Sequence, residues 1–267
     1  MKIHIITMED PVYTLDFIKE IIKARKNDIV GVTIAKGNRL KIGSQRSKIV
    51  YLCSLFLIMG VSGFLRYALQ TFNYKIRKKM PFVENSSLAD FAARQGIPVD
   101  YTDNPNAPDY LAQIKQKAPD VIINQSQFII KKELLSIAPL GMLNRHNALL
   151  PKNRGRLTPF WVLYKGEKET GVSIHFVDQG IDSGLIVVQK KFPVAHRESF
   201  NSLVKKNYYW APKAMLEALD KLEAGDTNFI ENPDSLATYN TVPTLGQAWE
   251  YRMRRLWDRV SGDGVAE

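Results

Sequence analysis

The sequence predicts an α/β protein with a mostly parallel central sheet, and three observations carry that expectation. Residues 2–7 are an apolar run of strand length, residues 14–26 set Leu15, Ile18, Ile21 and Ile22 on one helix face, and residues 28–35 form a second apolar run. That is the spacing of a strand, helix, strand crossover. The same alternation returns beyond residue 86, and 267 residues, 45% hydrophobic and 10% aromatic, suffice for one substantial core.

Each later element has its own signal. The turn after the first strand, Met8 to Tyr13, has no glycine and so lacks the backbone cradle that holds a phosphate. Ser86 or Ser87 caps a helix bearing Leu88, Phe91 and Ala92, which runs to Gln95 and stops at Gly96. Residues 97–99 read as a short strand, 108–118 as a helix and 120–124 as an apolar strand. Residues 136–140 lead into a strand carrying Asn144 and His146, followed by a Pro-punctuated loop and a short helix with Trp161. Residues 172–176 and 185–188 read as strands flanking Asp178 to Gly184, and 200–222 as a long helix with Leu203, Val204, Ala211, Met215 and Leu219 toward the core. This divides the chain into a domain over 1–225, with an insertion at about 36–82, and a tail over 226–267. The tail's helix, at about 245–260, carries Trp249, Met253, Leu256, Trp257 and Val260 at helical spacing.

Charge is concentrated in the insertion. Between Lys36 and Met80 lie ten basic residues and no acidic one, and these ten equal the whole formal net charge of +10. Within that segment, Ile49 to Leu65 is uncharged for 17 residues, short of the roughly 20 that a transmembrane helix needs. A single crossing would also separate the first two strands from Asn144 and His146, which one sheet forbids. The segment is therefore expected to pack on the domain or on a second subunit, or to lie in a membrane interface with its cations near anionic head groups. Its aliphatic centre offers no stacking platform for RNA. The single Cys53 excludes an internal disulfide and, within an apolar run, is expected to be buried. The N-terminus reads as a strand, with no cleavable leader pattern, so a cytoplasmic protein is expected, with peripheral contact at the inner membrane face as an alternative.

The chemistry-bearing residues are few. On a strand, Asn144 and His146 project to one face while Arg145 points away. His146 can move a proton near neutral pH, an Asn amide is a fixed donor for a developing oxyanion, and Asp182 in Gly-Ile-Asp-Ser-Gly can carry a carboxylate toward the imidazole. Asn-x-His alone also suits a hydrogen-bonded histidine at a strand end. His175, between Ile174 and Phe176, reads as structural, and no Cys/His or His-Glu-x-x-His pattern suggests a metal.

Taken together, Asn144-x-His146-x-x-Leu-Leu-Pro151, Arg154-Gly155, Glu169-Thr-Gly-Val-Ser-Ile-His-Phe176 and Asp178-x-Gly-Ile-Asp182-x-Gly184 resemble the 10-formyltetrahydrofolate-dependent formyltransferases that act on glycinamide ribonucleotide, methionyl-tRNA or amino sugars. The resemblance is dense from about residue 120 to 194 and absent from about 36 to 82. It implies a Rossmann-like formyltransferase fold, with 10-formyltetrahydrofolate as formyl donor to a primary amine. Asn144, His146 and Asp182 would be catalytic, with His146 held protonated beside Asp182. Gln127, Phe128, Ile129, Asp178 and Gly180 would contact the folate, although the first three also suit packing at a strand end. Two departures, Arg145 and Ala148, bear on acceptor geometry.

For the acceptor, the glycine-free turn disfavours glycinamide ribonucleotide, and the short tail disfavours methionyl-tRNA. An amino sugar, nucleotide-linked or lipid-linked, is the expected partner. tRNA remains the alternative because residues 36–48 are basic, and a non-catalytic folate-binding or membrane-associated protein is a further one. A homodimer is left open.

Overall fold

A computed structural model describes residues 1–9, 14–37, 48–80 and 87–261. The elements run β1 (Ile3–Thr7), α1 (Thr14–Arg25), β2 (Ile29–Ala35), α2 (Lys48–Lys79), α3 (Leu88–Arg94), β3 (Val99–Thr102), α4 (Pro108–Lys117), β4 (Val121–Gln125), α5 (Lys132–Leu135), β5 (Met142–His146), β6 (Arg154–Gly155), α6 (Thr158–Tyr164), β7 (Glu169–Phe176), β8 (Ile186–Pro193), α7 (Phe200–Glu223), β9 (Tyr239–Asn240) and α8 (Leu245–Val260). Arg39, Lys41, Arg46 and most of the glycine-free turn lie outside the described residues.

Among the described residues the main sheet has seven strands in the order β3-β2-β1-β4-β5-β7-β8. β3 through β5 pair in parallel, while β7 and β8 join antiparallel. A parallel sheet is covered on both faces, so its central strands are largely apolar, as the fully buried Ile3, Ile5, Ile6 and Ile122 are here. One core lies between the sheet and α1, α3 and α7, and another on the opposite face around Tyr110, Ile114, Leu134 and Ala138. The order reverses at β1, whose neighbours are β2 and β4, leaving a crevice at the carboxyl ends of the strands where ligands of open α/β sheets bind.

Expected and observed elements differ mainly at their ends. The third strand is Val99–Thr102 rather than 97–99, because Ile97 and Pro98 belong to the turn after α3, where the Ile97 amide donates to Ala92 O. The largest difference is α2, which runs 32 residues through the basic cluster, broken only at Gly60 (φ 74°, ψ 170°). Near that break, Leu55, Ile58 and Met59 pack with Phe160, Trp161, Phe200, Val204, Ala248 and Tyr251, so the insertion and the tail helix form a third core together. Burying side chains of this size stabilises by about 2 kcal/mol each. Cys53, expected to be buried, is exposed, because it lines an open groove between α2 and α8.

Candidate active site

The site forms where β5 meets β7. Leu143, Asn144, Arg145 and His146 pair with Phe176, His175, Ile174 and Ser173. Directly opposed residues in an antiparallel pair share a face, so this register brings His175 beside Asn144. Asn144 Nδ2 lies 3.4 Å from His175 Nε2, and Asn144 Oδ1 accepts from Gln125 Nε2 at 2.9 Å. The Gln125 bond fixes the amide's orientation and leaves its NH2 group toward the site.

Asp182 reaches both imidazoles. Its Oδ2 is 3.4 Å from His146 Nδ1 and its Oδ1 is 3.5 Å from His175 Nε2. The carboxylate is carried there by a residue in the left-handed region, φ 51°, which Asp tolerates better than most side chains. Gly155 N donates to Asp182 Oδ2 at 2.8 Å. Gly155 itself has φ 98°, and a Cβ there would overlap Asn240 O, so only glycine brings this amide in.

Both rings are anchored on their far sides. His146 Nε2 lies 2.7 Å from Asn153 O, and His175 Nδ1 lies 2.8 Å from Phe176 O. A carbonyl only accepts, so each anchored nitrogen carries the proton and each nitrogen facing Asp182 carries the lone pair when the ring is neutral. Burial lowers the His146 pKa, and the nearby Asp182 only partly offsets it. Burial pushes Asp182 upward, but His146, His175 and the Gly155 amide outweigh it and hold the carboxyl well below the usual range. The site thus sets an ionised Asp182 against two imidazoles, with burial working against the expected protonated His146 and the neighbouring carboxylate working for it.

The supporting residues were mostly illegible in the sequence. Asn153 is 1% exposed; its side chain accepts from Lys165 and Asn240 and donates to Glu167, while its amide donates to Thr238 Oγ1. Arg154 is fully buried, bonded to Asp234 at 2.5 Å, Tyr239 OH at 2.7 Å and the Asn232 carbonyl at 2.8 Å. Asn232 Nδ2 in turn donates to Asp182 O and Gly184 O, both at 2.9 Å. Residues 232–241 therefore buttress the Asp182 loop. Arg145, pointing away as expected, stacks between Phe17 and Tyr208 and donates from Nε to Gln125 Oε1 at 3.0 Å.

The residues expected at the folate are divided. Gln127 accepts from Arg156 at 3.0 Å, and Phe128 partly packs into the second core, in keeping with the packing alternative. Ile129 is 80% exposed. Asp178 Oδ1 accepts from Gly180 N and Ser183 Oγ, so this carboxylate shapes its own loop, and a Cβ on Gly180 would overlap Ser183 Oγ.

Residues 82–219 match the formyl transferase family. This chain is a member of that family. Among its relatives, a methionyl-tRNA formyltransferase of Kosmotoga olearia is 35% identical over 149 residues, which are 55% of this chain and 48% of that protein. One of Chlorobium limicola is 29% identical over 191 residues, 70% of this chain and 59% of that protein. The chain spans about half the length of the curated relatives it matches. In fold it is similar to glycinamide ribonucleotide transformylase 1 from Symbiobacterium toebii, with a TM-score of 0.60 at 15% identity over 84% of this chain and 88% of that one. It is also similar to a sugar 3N-formyl transferase whose structure was solved with dTDP and 5-N-formyl-THF, with a TM-score of 0.56 at 15% identity over 96% of this chain and 78% of that one. The expected Rossmann-like formyl transferase fold is therefore correct, and in this member the match begins after α2.

Proposed function

We propose that this chain transfers a formyl group from 10-formyltetrahydrofolate to the primary amine of an amino sugar. The observation that carries the reading is the convergence of Asn144 Nδ2, the His146 imidazole and the Asp182 carboxylate at the carboxyl end of β5. The folate would be held by the loops after β4 and β7. They suit it chemically, because Ile129 and Ile181 leave apolar side chains exposed beside a polar site. Its contribution is an activated formyl carbon.

The chain's own residues do the rest. Asn144 Nδ2, oriented by Gln125, donates to the oxygen that becomes negative as the amine adds. The amine gives up a proton to the pair formed by His146 Nδ1 and Asp182 Oδ2. Once protonated, His146 stabilises that oxygen's charge and can return the proton to the departing nitrogen. Asn153 O holds the ring in the tautomer that leaves Nδ1 available.

An amino sugar is favoured by the glycine-free turn after β1, which lacks a phosphate cradle. Methionyl-tRNA is the second reading, and the names of the relatives favour it. Supplying 10-formyltetrahydrofolate with an amino-sugar nucleotide or with charged initiator tRNA separates the two. Formylation of the sugar alone is expected; formylation of the tRNA alone overturns the sugar assignment.

A further inference from the structure

Helices α2 and α8 turn apolar stripes away from the protein. On α2, Val61, Leu65, Leu69, Phe72 and Ile76 recur at three- and four-residue steps on the outward face, while Tyr67 and Tyr74 on the opposite face are half-buried. On α8, Leu245, Trp249, Met253, Leu256 and Trp257 do the same opposite the buried Ala248 and Tyr251. These outward residues are between 41% and 71% exposed, where an ordinary amphipathic helix carries polar groups. The stripes join, because Leu52, Phe56 and Phe64 of α2 and Leu245 and Trp249 of α8 line one apolar groove of about 710 Å³. The Phe56 and Phe64 rings, 5.5 Å apart, bridge the break at Gly60.

The pair is seated deliberately. The break frees carbonyls of α2, and the protein body satisfies them: Arg252 Nε donates to Leu57 O at 2.7 Å and Asn201 Nδ2 to Met59 O at 3.2 Å. α2 is thus pinned at its middle with apolar faces outward. A spanning role is excluded, since β1 and β2 precede α2, β4 follows it, and all three lie in one sheet. Both ends of α2 stay on one side of any bilayer.

From this geometry we infer that the α2/α8 face docks on the surface of an anionic lipid bilayer. The charges select this partner. Exposed Arg66, Lys75, Arg77 and Lys79 border the α2 stripe, and no acidic residue lies between positions 36 and 80 to oppose them. A second copy seated there would bring these cations together. A bilayer offers apolar depth to Leu69 and Phe72, head-group level to Trp249 and Trp257, and negative charge to the cations. Each basic residue near such a surface adds about fivefold to partitioning. The face stands apart from Asn144, His146 and Asp182, so the inference holds whichever amine is the acceptor.

The test is co-sedimentation of the full chain with vesicles of phosphatidylcholine alone and of phosphatidylcholine with phosphatidylglycerol. Binding to the anionic vesicles, weakened by salt and reduced more than about tenfold in the double variant Leu69→Glu, Phe72→Glu, is expected. A second variant, Lys75→Gln with Lys79→Gln, leaves the apolar stripe intact and lowers anionic binding alone. Circular dichroism and formyl transfer matching the wild type show that both variants are folded. Equal binding to both vesicle types overturns the charge selection. No binding to either, with a dimer that the glutamates dissociate, assigns the face to a second copy and overturns the inference.

Discussion

Asn232 offers a sharp perturbation, because it lies 50 residues from Asp182 in sequence and yet holds its backbone. Asn232→Ala removes two donor bonds, to Asp182 O and Gly184 O, and one acceptor bond from the buried Arg154 guanidinium at 3.0 Å. The neutral bonds contribute about 1 kcal/mol each and the charged one about 1.5 to 3 kcal/mol, so the variant should lose about 3 to 5 kcal/mol of unfolding free energy. Asp182 also loses a clamp on its φ of 51°, and its carboxylate then drifts from His146. A misplacement of that kind lowers kcat/KM by about ten- to a hundredfold. Urea unfolding and initial formyl-transfer rates measure the two effects on one preparation. A stability loss below about 1 kcal/mol with unchanged kcat/KM would refute the claim that residues 232–241 support the site.

Three other expectations follow from the same geometry. Gln125→Leu should free the Asn144 amide to rotate, lowering kcat by about tenfold, and should also lower the unfolding midpoint because the Arg145 guanidinium loses its acceptor, as measured by steady-state rates and thermal melts. Gly155→Ala should destabilise the protein and slow transfer together, because the Cβ meets Asn240 O at a left-handed φ; coincident losses by melting and by assay check this. Stability should fall as pH drops below about 6.5. Burial lowers His4 to about 3, with Lys117 adding to the shift, and burial also lowers His146, so the unfolded chain takes up protons there that the native protein does not. Unfolding free energies from urea titrations at stepped pH should decline by about 1.4 kcal/mol per unit for each such histidine, and His4→Asn should flatten the slope by about one proton.

The sheet and the catalytic strand were legible because they depend on local signals. Buried β1 and β4 announce themselves as apolar runs, and Asn144, His146 and Asp182 stand in short motifs flanked by glycine and proline. The position of His175 opposite Asn144 was not legible, because its apolar neighbours describe the strand, whereas the pairing depends on the β5 to β7 register. Asn153 and Asn232 were missed, and the buried bonding of Arg154 was not foreseen, for a similar reason. Their hydrogen bonds join segments about 80 residues apart, and no periodicity encodes such pairings. The length of α2 was not legible, because the 17-residue apolar run stops at Arg66, while the helix continues with its apolar stripe among charged and polar residues.

The central claim is that the Asp182 carboxylate, 3.4 Å from His146 Nδ1, takes part in moving the amine's proton. Single-turnover formyl transfer by Asp182→Asn against the wild type, at saturating 10-formyltetrahydrofolate and with the fold checked by circular dichroism, tests it most directly. The account predicts a fall in rate of about 10²- to 10³-fold with donor binding retained. A rate within about threefold of the wild type would contradict it, and would leave Asp182 as a residue that merely shapes its loop.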